Sequence, residues 1–141
     1  MKKRWFLVLI VLVVLSLACE SSGTKTGGSS SCSSSGQQGR CEGRYKKITG
    51  TVSETFSVNV YAGDALVDLI VSVGKGRMRV WFKTPDGQEV SAEAAPGTPA
   101  QLSAMADVET NFDEEYEITI HFEALDEEIT DIEYKLNYQV N

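Results

Sequence analysis

At 141 residues the chain has room for one small domain, which excludes large catalytic barrels and multidomain machinery. Its formal net charge is −7, from 20 acidic and 13 basic residues, with three of the basic ones crowded at the extreme N-terminus. Without those three the balance is 10 against 20, a net of −10, so nucleic acid and bare anionic membrane are poor partners for the remainder.

Lys2, Lys3 and Arg4 precede a run from Trp5 to Ala18 that is apolar except for Ser16, the pattern of a secretory signal. As a helix this run would span about 21 Å, short of the roughly 30 Å hydrocarbon core, so removal after export is favoured over a stable span. Ser16 and Ala18 suit an ordinary small-residue cleavage site, after which Cys19 would remain a free thiol. The residues Leu15-Ser16-Leu17-Ala18-Cys19 also resemble the lipobox of bacterial lipoproteins, in which a small residue precedes the Cys that becomes diacylated. Ser16 stands where that pattern usually has Leu. The resemblance implies that residues 1–18 are a lipoprotein signal peptide, that Cys19 is the mature, lipid-carrying N-terminus, and that the protein is anchored on the extracytoplasmic face of the cell envelope.

From Glu20 to Gly43, eight Ser and six Gly make up 14 of 24 residues, and the only apolar side chains are Cys32 and Cys41. That composition predicts a disordered linker over 19–44, with a reach of about 25 to 30 Å. With Cys19 lipidated, Cys32 and Cys41 form one even pair in an oxidising compartment, and a local disulfide is the default reading. A metal or redox role is disfavoured, because the gap is not C-x-x-C and no His lies nearby. Closing so short a loop removes about 2 to 3 kcal/mol of unfolded-state entropy.

Residues 45–141 carry a different signal, with apolar residues recurring at every second position. Phe56, Val58 and Val60 alternate with polar neighbours, as do Met78, Val80 and Phe82, then Tyr116, Ile118, Ile120 and Phe122, then Ile132, Tyr134, Leu136, Tyr138 and Val140. Ile48 to Ser53 reads as a first strand, Leu66 to Val73 as a more central one, Gln88 to Ala94 as another, and Gln101 to Ala106 as a weaker one. Gly74-Lys75-Gly76, Pro85-Asp86-Gly87 and the Pro96-Gly97 segment supply turns. The prediction is an all-β, antiparallel β-sandwich of about seven or eight strands, with Ala100 to Asp107 the one stretch that could instead be helical. The pattern Gly63-Asp64-x-x-Val67-Asp68-Leu69, a P-D-G turn and the late Tyr116-x-Ile118-x-Ile120-x-Phe122 run resemble small exported sandwiches of the pre-peptidase C-terminal or GOLD type. That resemblance implies a non-catalytic accessory or interaction module.

Chemistry-bearing residues are sparse. The single His, His121, falls on the outward face of its strand, and no nucleophile elbow, HExxH or Cys/His cluster accompanies it. Asp107 to Glu133 holds twelve Asp or Glu and no Lys or Arg. Asp113 and Glu115, with Asp126, Glu128 and Asp131, fall in loops flanking one strand. They are either a calcium donor set or a solvated acidic face. Opposed to them is a basic row on the wet side of one strand, Arg77, Arg79 and Lys83 with Trp81, which suits either a sugar-stacking surface or cross-strand pairing with Glu. The leading expectation is a lipid-anchored, non-catalytic display domain whose partner is an envelope protein or glycan, with no cofactor beyond calcium. A carbohydrate- or calcium-assisted ligand module comes second, and a small hydrolase is a distant third.

Overall fold

The computed structural model describes residues 23–58 and 64–140, so the apolar N-terminal run, the expected cleavage site and Cys19 lie outside the described residues, as do Val60 and Gly63. In chain order the strands are β1 Thr24–Thr26, β2 Ser29–Ser35, β3 Gln38–Thr49, β4 Thr51–Val58, β5 Ala65–Ser72 and β6 Met78–Lys83. They continue with β7 Glu89–Ala94, β8 Ala100–Ala106, β9 Glu109–Thr110, β10 Tyr116–Ala124 and β11 Ile129–Val140. One sheet runs β1-β3-β11-β5-β8, with β2 beside β1 on the same edge of β3. The other runs β4-β10-β6-β7, with β9 on β10.

Every strand pairing is antiparallel. Taking β3 to β8, β10 and β11 as the eight principal strands, the first, eighth, third and sixth form one sheet, and the second, seventh, fourth and fifth form the other. This interleaving of two Greek keys is a jelly roll. The predicted sandwich is therefore present, with β1, β2 and β9 added to its eight strands.

The period-two pattern places the core. In β5, Ala65, Val67, Leu69 and Val71 are buried, while Leu66, Asp68, Ile70 and Ser72 face solvent. In β11 the buried positions are Ile129, Ile132, Tyr134, Leu136, Tyr138 and Val140. Between the sheets Tyr134 meets Phe56 and Phe122 with ring centroids 5.7 Å apart, and Tyr45 at 6.1 Å. No polar or charged residue is wholly buried among the described residues.

One local expectation needs correction. Ile48 to Ser53 is not one strand, because Gly50, at φ +64°, turns the chain from β3 in one sheet to β4 in the other. The weaker strand expected at Gln101 to Ala106 is present, and the helical alternative for Ala100 to Asp107 is not taken. That strand is β8, along β5, with Val67, Leu69 and Val71 opposite Ala104, Leu102 and Ala100.

The Ser/Gly segment is the largest departure. Residues 24–44, expected to be a disordered linker with the domain starting at Tyr45, instead form β1, β2 and the first half of β3. The physical reason lies in β11, which faces β3 with Tyr138 opposite Gly39 and Tyr134 opposite Gly43. A Cβ at Gly39 would overlap the Tyr138 ring, one at Gly43 the Tyr134 ring, and one at Gly28 the Tyr45 ring. The glycines are seats for aromatic rings, as aromatic side chains cover strand glycines elsewhere. The segment carries little apolar mass of its own because its partners supply it.

Cys32 lies directly opposite Cys41 and is bonded to it, stapling the serine strand to β3. At the same edge the Tyr45 hydroxyl donates to Glu54 of β4, and Lys25 of β1 forms an ion pair with Glu54, so one carboxylate ties the two sheets together. Burial, and then the bond to Glu54, hold the Tyr45 phenol far above its ordinary pKa, so it remains the donor.

Replacing Gly43 by Ala should cost about 1 to 3 kcal/mol of stability, because the methyl intrudes on a packed ring. Ser33→Ala, on the exposed outer row of β2, should change stability by under about 0.5 kcal/mol. Urea denaturation of both variants checks this, and equal stabilities would refute the ring-seat account.

Candidate functional site

The outer face of the five-stranded sheet gathers most of the side chains singled out in the sequence. Antiparallel register sets His121 of β10 opposite Trp81 of β6 on one side and Ser53 of β4 on the other. Trp81 and His121 stack with centroids 3.7 Å apart and planes at 12°. The Ser53 hydroxyl lies 2.8 Å from His121 Nδ1. Burial first, and the Lys83 charge next, lower the His121 pKa, partly opposed by Glu89 and Glu109, so the imidazole is neutral at neutral pH.

The basic row is cross-paired. Arg79 binds Glu89 at 3.0 Å and Glu123 at 3.2 Å, and its guanidinium stands 5.7 Å from the Trp81 ring centroid. The hydrogen bonds it donates to Glu89 and Glu123 raise its pKa. Arg77 donates to Asp126 from its side chain at 3.1 Å and from its backbone N–H at 2.8 Å. That side-chain bond comes first in holding the Asp126 carboxyl below its usual range. Trp81 is thus covered on one face by His121, and Lys83 alone of the row has no carboxylate within ion-pair distance among the described residues.

The acidic loops are not brought together. Asp113 and Glu115 precede β10, while Asp126, Glu128 and Asp131 follow it. At about 3.4 Å per residue the nine residues of β10 hold the two groups roughly 27 Å apart. Asp126 is taken by Arg77, Glu128 by Lys47 and Lys75, and Asp131, expected in a loop, lies within β11 at φ +54° beside Gly74. Among the described residues no three His, Cys, Asp or Glu side chains converge as a metal site.

Two features were missed in the sequence. The first is a fork beside β10. β6 pairs with its residues 121–124 and β9 with 116–117, leaving a gap between them. There a cleft of about 250 Å³ is lined by Lys83, Asp107, Glu109, Thr119 and His121. The Asp107 N–H donates to the Lys83 carbonyl at 2.8 Å, fixing one wall of the fork. Larger, shallower grooves of about 490 and 340 Å³ cross the outer face of the six-stranded sheet, along the Ser29–Ser35 strand.

The second is the loop between β9 and β10, where Phe112 is fully exposed. Asn111 builds this loop: its Oδ1 accepts from the backbone N–H of Asp113 and of Glu115 at 2.9 and 3.0 Å, and its Nδ2 donates to Glu117 at 2.7 Å. The loop lies at the Tyr116 end of β10. The N-terminal segment enters at the other end, where the Gly23 N–H donates to the carbonyl of Thr51, itself opposite Glu123. A sequence signal did exist in Asn111-Phe112-Asp113, an apolar residue amid turn formers and acids.

No protein family matches this chain, and no curated protein does. Solved structures similar to it include an oxalate decarboxylase of Bacillus subtilis described for its Mn(II) centres, 15% identical with a TM-score of 0.44, covering 83% of this chain and 26% of that one. A pumpkin seed globulin is 15% identical with a TM-score of 0.36, over 70% of this chain and 21% of that one. Procruciferin, an 11S globulin from Brassica napus, is 8% identical with a TM-score of 0.35, over 74% and 21%. The chain spans about a quarter of the length of these proteins. Its jelly-roll assignment rests on its own strand order.

His121 is the sole histidine, and its fold-lowered pKa has a consequence for stability. Unfolded imidazole titrates near pH 6.5, so below that the unfolded chain binds the proton more readily than the folded one. The contribution is fully present above about pH 6.5 and is lost as pH falls towards the lowered folded value. Denaturation between about pH 7.5 and 5.5 should show declining stability in the wild type and a flatter profile in His121→Gln. Identical slopes would assign the dependence to other groups.

Proposed function

We propose that this chain is a lipid-anchored envelope protein whose jelly roll is a non-catalytic display domain, presenting the Phe112 loop to a protein partner. The observation that carries the reading is the exposed aromatic at the end of the domain remote from the N-terminus. Thr24 lies five positions after Cys19, a stretch that spans at most about 18 Å, so a lipid on Cys19 holds the Thr51 end of the sandwich near the headgroups. β10 then carries Phe112 outward by a further 27 Å or so. The disulfide between Cys32 and Cys41 suits the oxidising compartment that export implies.

A fully solvated Phe is an unused binding anchor of the kind that fills a partner's pocket. Asp113, Glu114 and Glu115 beside it favour a pocket rimmed by Lys or Arg and disfavour insertion into an anionic bilayer. A sugar platform at Trp81 is the poorer reading, because His121 covers one ring face. We read the Ser53 contact as orienting that imidazole.

Blocking lipoprotein signal peptidase in the native host should accumulate an uncleaved precursor, and Cys19→Ala should abolish incorporation of labelled fatty acid into the chain. Normal processing under the block would overturn the anchor. For the display surface, in-envelope crosslinking from a photoreactive residue at Asp113 should give a discrete adduct, reduced at least tenfold by Phe112→Ala and weakened by salt. An adduct indifferent to Phe112→Ala would overturn the loop's role, as would phospholipid adducts alone.

A further inference from the structure

The fork cleft does not need the anchored-display reading, and the two stand or fall separately. Seven of the ten described Lys and Arg residues are within ion-pair distance of a carboxylate. In the cleft the habit breaks. Lys83, Asp107 and Glu109 line one space of about 250 Å³, yet Lys83 is more than 4.0 Å from either carboxylate. The separation is built in. Lys83 ends β6 and Glu109 lies in β9, two strands parted by the gap in the β10 ladder, while Asp107, whose N–H bonds the Lys83 carbonyl, closes the end between them.

We propose that this cleft binds a small zwitterion, an amino acid whose ammonium group meets Asp107 and Glu109 while its carboxylate meets Lys83. A simple anion placed here would face two carboxylates, a simple cation would face Lys83, and a neutral ligand would desolvate all three charges without pairing them. Only a molecule with both charges satisfies groups of both signs. The volume equals that of about eight water molecules at roughly 30 Å³ each, which fits a ligand of several heavy atoms and excludes an oligosaccharide. His121 and Thr119 complete the lining. The imidazole, stacked on Trp81, is a fixed polar wall and adds no charge at neutral pH.

The charge separation selects ligand length, so an ω-amino acid series reads it directly. Glycine, β-alanine, γ-aminobutyrate and 5-aminopentanoate, each at about 10 mM, are added to the processed protein purified in detergent, and its melting is followed. One chain length should raise Tm by several degrees, while acetate plus methylammonium at the same concentration should not. The shift should vanish in Lys83→Met and in Glu109→Gln and persist in Glu93→Gln, which alters an acid on β7 outside the cleft. A flat response across the series overturns the site. So does a shift matched by the separated ions, or one that survives in both cleft variants.

Discussion

Three tyrosine rings laid over three glycines set the terms for the rest of this molecule. Tyr45, Tyr134 and Tyr138 face inward from the six-stranded sheet and occupy the space where Gly28, Gly43 and Gly39 lack a Cβ. The seats hold β3 against β11 over nearly its full length, and that alignment positions Cys41 opposite Cys32 and Tyr45 within reach of Glu54. A one-residue slip of β3 would turn Tyr45 out to solvent and the charged Arg40, Glu42 and Arg44 inward. The register is therefore defended by both faces at once.

The same alternation organises the outer surfaces. Where two strands lie side by side for several residues, opposite charges meet across them, as Arg79 does with Glu123 and Arg44 with Glu133. Pairing of that kind uses up a basic row that would otherwise look like a ligand surface. Charge remains uncancelled where strand pairing stops, at the fork between β6 and β9, and aromatic surface remains uncovered at the loop beyond it. Both candidate functions concentrate at that end of the sandwich because regular sheet has ended there.

Much of this was legible in the chain. Alternation in Met78–Phe82, Tyr116–Phe122 and Ile132–Val140 identified strands and their wet faces, and with them the outward aim of Trp81 and His121, because a period of two is a local property. The two acidic groups were legible as flanking one strand, whose nine residues already set them apart, although Asp131 proves to lie in β11 and not in a loop. The fork was invisible, because it arises from β6 and β9 sharing one edge of β10 at different heights.

The sequence by itself determined that the folded part is all-β, that one face of each strand is apolar, and that Cys32 and Cys41 can pair. Each of these follows from spacing and composition within a few residues. Only the tertiary structure decided that the Ser/Gly stretch is sheet and not tether. A glycine's own chemistry says flexible, and what makes it ordered is a tyrosine about ninety residues away whose ring needs the room.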